Sequence, residues 1–299
     1  MKSVKIRLSI VANLIAVFAL IFLGVVSFFI TRNSLYEITI KNQSNVLQAT
    51  QNVVIDFRKQ NFDFIKNLEN EILNLPNQDF NSEENLVSNV GLILRFYRHN
   101  MQAYNVFLVL ENGKILLSQP SDDNTKKLAA LREDFNVNSK EWYQNALNDR
   151  NNIAVSPAYI DANLKEYVIT YAKSIYKDGK FIGVLGIDIP AKKLQKSVAD
   201  TPGNTFVFNE EGKIFSATDQ NLLQPTVDLS PVFNAYKING DYKFFTYESD
   251  KGVETGTCAK AFSYTACITQ SINDINEPIY KIAFIQAIIV IVVIAFSVV

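Results

Sequence analysis

Three runs between residues 134 and 188 carry most of the information in this chain: DFNVNSKEWYQNALNDR (134–150), VSPAYID (155–161) and YVITYAKSIYKDGKFIGVLGID (167–188). The last run decides the fold. Its halves, Val168 to Ile175 and Phe181 to Ile189, are mostly apolar and flank Lys177-Asp178-Gly179-Lys180. An Asp-Gly pair between such runs predicts a β-hairpin. Asp188 closes the second, otherwise apolar strand. Upstream, Lys140, Trp142 and Tyr143 share a helix expected over 140–149, and Tyr159 and Asp161 follow. A cation, aromatic walls and an acid in one cavity are what a zwitterion needs.

The pattern extends in both directions. Pro190 suits the first turn of a helix running to about Asp200, which Pro202-Gly203 ends. Before the central stretch, Asn105 to Leu110 and Ile115 to Ser118 flank Glu111-Asn112-Gly113-Lys114, a second hairpin. Residues 121–135 read as a polar loop with a short helix around Leu128. Asn81, with Glu84 three residues on, reads as a capping box for a helix bearing Leu86, Val90, Ile93 and Tyr97. His99 ends that helix, at its C-terminus or on the surface. After Pro202 the pattern restarts. FLVLENGKI from Phe107 returns as FVFNEEGKI from Phe206, and TYAK from Thr170 returns as TCAK from Thr257. Two echoes in the same order predict a duplicated module. The second copy is smaller, with no expected counterpart of the 140–149 helix. Each copy reads as an antiparallel sheet with helices on one side, so the fold class is α+β.

Composition narrows the function. The chain has 299 residues, a formal net charge of -1, one histidine and two cysteines. Near-neutral charge leaves no electrostatic footprint for nucleic acid. No local cluster of His, Cys and carboxylates suggests a metal. No phosphate-binding loop, dinucleotide fingerprint or nucleophile elbow is evident, and no enzymatic activity or cofactor is expected. Residues 8–30 are long and apolar enough to cross a bilayer, and Lys2, Lys5 and Arg7 before them put the N-terminus inside. The competing reading is a signal peptide, but no small-x-small cleavage site follows. A second apolar segment, Ile282 to Val299, contains the chain's last residue, so a cytoplasmic continuation is expected. Cys258 and Cys267 then lie outside, where they form either a disulfide across a hairpin or two buried thiols. From Thr31 an apolar stripe of Leu35, Ile38, Val46, Thr50, Val53, Phe57, Phe64, Leu68, Ile72 and Leu75 predicts one long helix. Its stripe packs either on the domain or on a partner helix.

A long N-terminal helix, two tandem sheet modules and flanking membrane helices resemble the double Cache (dCache) sensor domain of bacterial methyl-accepting chemotaxis receptors. The resemblance covers about Thr31 to Tyr280. It extends to the amino-acid-binding subgroup, of the Campylobacter type, through an ordered pattern in the membrane-distal module: Phe135, Lys140, Trp142, Tyr143, Tyr159 and Asp188. The subgroup has Tyr and Arg where this chain has Phe135 and Lys140. By resemblance, Lys140 and Trp142 serve a ligand carboxylate, and Tyr159 and Asp188 its ammonium, with Asp161 a second acid nearby. Lys keeps the charge of Arg but gives up its bidentate fork. Phe107, Ile115 and Leu117 line the ligand side chain or belong to the ordinary core. Trp142 and Tyr143 also suit a helix anchor, Lys140 a solvated helix start, and Asp188 a cap on the following helix.

The resemblance implies a layout: a cytoplasmic N-terminus (1–7), transmembrane helix 1 (8–30), a stalk helix (31–77), a membrane-distal ligand module (78–200), a membrane-proximal module (201–280) and transmembrane helix 2 (281–299). Each module is PAS-like. The implied function is sensing a small amino acid or analogue from the periplasm and signalling across the inner membrane. The implied partners are a second copy, joined through the long helices, and cytoplasmic chemotaxis proteins reached through the C-terminal continuation. A histidine kinase or diguanylate cyclase output is the alternative, and a non-signalling binding or adhesion protein is another.

Overall fold

The computed structural model describes residues 2–125, 127–133, 136–161, 165–223 and 227–297. It forms two compact units: Asn52–Asp200 with Ala261–Ser263, and Met1–Gln51 with Thr201–Lys260 and Tyr264–Val299. In chain order the helices and strands are α1 (Lys2–Asn74), α2 (Glu83–Asn85), α3 (Gly91–Met101), β1 (Asn105–Leu110), β2 (Ile115–Ser118), α4 (Ser121–Thr125), β3 (Ala130–Arg132), α5 (Glu141–Asn148), β4 (Ala154–Val155), β5 (Tyr159–Ile160), β6 (Tyr167–Lys177), β7 (Lys180–Pro190) and α6 (Ala191–Ala199). There follow β8 (Asn204–Phe208), β9 (Ile214–Ala217), α7 (Ser230–Asn239), β10 (Phe244–Ser249), β11 (Gly252–Ala261), β12 (Tyr264–Ser271) and α8 (Ile272–Ser297). The fold is α+β, a long N-terminal helix followed by two antiparallel sheets.

The first unit holds a sheet in the order β3-β2-β1-β7-β6-β4, with β5 also paired to β6. Asp178 and Gly179 both have positive φ, 51° and 79°, as a tight β6–β7 turn requires. In the β1–β2 turn the positive φ falls on Gly113 alone, where the Gly113 N–H donates to Leu110 O over 2.9 Å. Helix α5 is pinned to the sheet by Ser174 Oγ, which donates to Ala146 O over 2.5 Å. At the end of α1, Lys177 Nζ donates to Leu73 O and Leu75 O, carbonyls that no helical partner satisfies.

Helix α1 keeps Thr50, Leu68 and Ile72 of the expected stripe and shifts Val46, Val53 and Phe64 by one residue, to Leu47, Val54 and Ile65. Its fully buried positions include Gln43, Leu47, Thr50, Val54, Asn61, Ile65, Leu68 and Ile72, while Val46, Val53 and Phe64 sit half-buried on the flank. An apolar count misses this face because buried amides occupy it. Within the second unit Gln43 spans Thr255 and Thr257, at 3.2 and 3.0 Å. Within the first, Asn61 Nδ2 donates to Phe57 O over 2.8 Å. A buried amide with its partners in place costs little, so polarity here does not mean exposure.

Other local expectations also change. Ser82, not Asn81, caps the helix at 83, accepting from the Asn85 N–H over 3.2 Å. The helix expected around Leu128 is instead α4, seven residues earlier, followed by the edge strand β3, which pairs Leu131 with Leu116.

The second unit holds a five-stranded sheet in the order β10-β11-β12-β8-β9. Helix α7 lies between β9 and β10 in the chain, as α5 lies between the β2–β3 hairpin region and β4. The second copy therefore does have a counterpart of the 140–149 helix. Its apolar signal is weak because its buried residues are Val232 and Phe233, adjacent in the chain, with no periodic stripe. Cys258 and Cys267 are joined as a disulfide between β11 and β12. Helices α1 and α8 each contain a segment long and apolar enough to cross a membrane.

Candidate ligand-binding site

A cavity of about 110 Å³ opens in the first unit, between the sheet, the start of α5 and β5. Eight of the residues expected from sequence line it: Phe107, Ile115, Leu117, Lys140, Trp142, Tyr159, Asp161 and Asp188. Tyr143 does not. It is buried against the sheet, with its ring edge-on to Trp142 at 6.0 Å, which is the helix-anchor role. Phe135 lies outside the described residues. Three further residues line the cavity: Asn105, Ile160 and Arg132.

The strand register builds the acidic end. Asp188 on β7 stands opposite both Asn105 on β1 and Thr170 on β6. Asn105 Nδ2 donates to Asp188 Oδ2 over 2.7 Å, and Thr170 Oγ1 donates to Oδ1 over 2.6 Å. Tyr159 OH lies 2.7 Å from the same Thr170 hydroxyl. Asp188 is only 4% exposed. It caps no helix: α6 begins after Pro190 and has no side-chain cap.

Burial pushes the Asp188 carboxyl up to about 6, and the nearby Asp161 charge adds to the rise. Hydrogen bonds from Thr170 and Asn105, and the Lys140 charge, hold it from going higher. Burial, then the Asp188 charge, raise the Tyr159 phenol as well, and its hydrogen bond with Thr170 opposes this. The phenol therefore stays protonated at physiological pH.

The apolar wall depends on one glycine. Phe107 pairs across the strands with Gly186, and a Cβ built there would meet the Phe107 ring at 2.3 Å. Only a residue without a side chain lets that ring lie on the sheet. Trp142 packs against it with centroids 5.0 Å apart. Ile115 and Leu117 project from β2 into the same space. At the other end, Lys140 sits in extended conformation at the N-cap position of α5, and Arg132 stands opposite Ile115 at the sheet edge. The result is a small apolar cavity with a buried acid at one end and basic side chains in its wall.

Sequence patterning does not single out Arg132, Asn105 or Thr170. Arg132 lies in a polar stretch whose strand exists only through its pairing with β2. Asn105 and Thr170 are polar residues at strand positions that periodicity assigns to no role. Their one signal is alignment with Asp188 once the register is known.

The family model described as the first PDC sensor domain of methyl-accepting chemotaxis protein-like proteins matches residues 91–196. A solved ligand-binding domain of Campylobacter jejuni chemoreceptor Tlp3, in complex with L-norvaline, is 55% identical, with a TM-score of 0.78 over 83% of this chain and 96% of that one. The Tlp3 sensory domain with isoleucine bound is 53% identical, with a TM-score of 0.77 over 83% of this chain and 98% of that one. The ligand-binding domain of Pseudomonas fluorescens chemoreceptor CtaA with L-isoleucine is 17% identical at a TM-score of 0.63, covering 84% and 99% of the two chains, a likeness of fold alone. Comparison with curated protein sequences yields no match. At 55% identity over 96% of the Tlp3 sensor, the chain belongs to the chemoreceptor ligand-binding domains of the methyl-accepting chemotaxis protein-like, PDC-sensor family.

Proposed function

We propose that the cavity of the first unit binds a free α-amino acid with an aliphatic side chain. The observation that carries this is the buried Asp188, held by the neutral donors Asn105 and Thr170 beside the Tyr159 phenol. A carboxylate so placed gains from a cationic head group, because an opposite charge offsets its desolvation. The ammonium sits at Asp188 with Tyr159, and the carboxylate is met by Lys140, Arg132 and the Trp142 indole. The side chain lies against Phe107, Ile115 and Leu117. Aliphatic walls favour ligands of the kind named for the Tlp3 structures, which include norvaline, valine and isoleucine.

In this reading the sensor module is membrane-distal and faces the periplasm. Helices α1 and α8 cross the cytoplasmic membrane. Val11, Leu14, Ile15 and Phe18 are each more than half exposed, as lipid-facing side chains are. Two copies associate through α1, and a cytoplasmic region after α8 engages the chemotaxis proteins. The test is a panel of L-amino acids against protein first stripped of copurified ligand by unfolding and refolding. Valine, isoleucine and norvaline raise the unfolding temperature, since a ligand bound only to the folded state stabilises it. A flat response across the panel contradicts the proposal.

A further inference from the structure

The second sheet repeats the frame of the first site with different chemistry. Asn204 and Phe206 on β8 occupy the register positions of Asn105 and Phe107 on β1. Asn204 faces Thr269 on β12 as Asn105 faces Asp188 on β7, and Phe206 faces Cys267 as Phe107 faces Gly186. The hydrogen bond is repeated too. Asn204 Nδ2 donates to Thr269 Oγ1 over 3.0 Å, where Asn105 donates to the acid. A tyrosine from the sheet edge completes both frames. Tyr247 on β10 lines the same cavity as Thr269, and in the first sheet Tyr159 bonds Thr170.

Two changes distinguish the second frame. The acid has moved one strand over: Tyr247 pairs with Glu254 on β11, and the Tyr247 OH donates to Glu254 Oε2. The basic residue at the helix entrance is gone. Where Lys140 stands before α5, Leu229 stands before α7, with Asp228 next to it. Around this frame lies a cavity of about 210 Å³, roughly twice the volume of the first. Its floor is Phe206, Leu222 and Val232. Among the described residues its charged lining is Asp219, Asp228, Asp250 and Glu254 against Lys251.

We infer that this cavity is a second binding site, and that it takes a small aliphatic amine without a carboxylate. Glu254, half-buried and fixed by Tyr247, receives the ammonium group, and Asp250 at the rim adds to the field. Phe206, Leu222 and Val232 take the alkyl chain. A zwitterion is disfavoured, because its carboxylate would face the acids with only the exposed Lys251 to meet it. Like charges brought together in a partly desolvated site weaken binding. The first cavity enters only as geometry, so amine binding here holds or fails independently of amino-acid binding there.

The experiment uses the whole chain in lipid nanodiscs and titrates isobutylamine, isopentylamine and putrescine by calorimetry, with isovalerate and leucine as contrasts. The sole tryptophan of the chain, Trp142, lines the first cavity, so its fluorescence reports that site and not this one. Saturable heat from at least one amine is expected, with Trp142 emission unchanged. Glu254→Gln, which keeps a partner for Tyr247, is expected to weaken amine binding at least tenfold, and Asp188→Ala to leave it unchanged. Should Glu254→Gln fail to fold, the exposed Asp250→Asn decides, with an expected loss of about threefold from removal of one nearby charge. Absence of saturable binding by all three amines overturns the inference. So does amine binding that moves Trp142 emission and is lost in Asp188→Ala, which places the amines in the first cavity.

Discussion

Asn105 and Asp188 stand opposite each other on neighbouring antiparallel strands, and the Asn105 amide donates to the Asp188 carboxylate over 2.7 Å. The pair fixes the direction of the acid without neutralising it. Burial nonetheless lifts the Asp188 carboxyl to about 6, against an ordinary value of 3.8. Two consequences of that displacement are measurable.

Replacing Asp188 by Asn separates stability from binding. A raised folded-state value means the folded protein holds the proton more tightly than the unfolded chain. The resulting destabilisation is absent below pH 3.8 and fully present above about pH 6. Asp188→Asn removes it, and at pH 7.5 the ligand-free variant is expected to melt higher, by up to about 3 kcal/mol for a two-unit displacement. The same variant loses the charge that holds an ammonium. A lost charged hydrogen bond of about 1.5–3 kcal/mol corresponds to roughly 10- to 150-fold weaker binding. Denaturant melts and calorimetry on one preparation check both signs.

Affinity for an amino acid should depend on pH with a definite sign. The ligand ammonium requires ionised Asp188, so below about pH 6 binding must release a proton. The dissociation constant is expected to rise as pH falls from 6 to 5, approaching about tenfold per unit, and to be flat between 7 and 8. Calorimetry in buffers of different ionisation enthalpy counts the released proton directly. A pH-independent affinity between 5 and 8 excludes Asp188 as the ammonium partner.

The carboxylate end depends on Lys140 and Arg132. Lys140→Arg is expected to bind within a few-fold of the natural chain, since charge is kept. Lys140→Ala is expected to weaken binding at least tenfold, on the scale of one charged hydrogen bond. Arg132→Ala should cost less, because β3 places it at the sheet edge, half-buried. Amino-acid amides, which lack the carboxylate, should be insensitive to all three changes. Competition titrations with valine and valinamide read this pattern.

Gly186→Ala tests the apolar wall. The added Cβ would meet the ring of Phe107, a wall of the cavity, at 2.3 Å. Overpacking of this kind costs about 1–3 kcal/mol of stability. A smaller ligand, alanine, should be affected less than isoleucine. Gly186→Ala with Phe107→Leu should restore both stability and isoleucine affinity.

Much of this architecture is legible in the sequence because it rests on local chemistry. Asp178-Gly179 places β6 beside β7, and an acid ending an apolar strand marks Asp188 before any contact is known. Lys140 and Trp142 stand out as a cation and the chain's one tryptophan set together at the start of α5. What escapes is non-local. Arg132 reaches the cavity only because β3 pairs with β2, a contact that no residue in ALR announces. Asn105 and Thr170 matter only through a register that aligns them with Asp188. The buried face of α1 is legible at Thr50, Leu68 and Ile72 and misplaced by one residue elsewhere, because Gln43, Gln51 and Asn61 sit on it, each with a hydrogen-bond partner. Helix α7 is missed because its buried residues span barely one turn.

The most direct measurement follows the emission of Trp142, which no other tryptophan obscures, while ligand-stripped protein is titrated with isoleucine. A ligand lying against the indole changes its surroundings. The account predicts a saturable shift in emission with isoleucine, valine and norvaline, absent in Asp188→Ala and weakened in Lys140→Ala. A saturable calorimetric signal from isoleucine with Trp142 emission unmoved, or an emission shift that survives intact in folded Asp188→Ala, would contradict it.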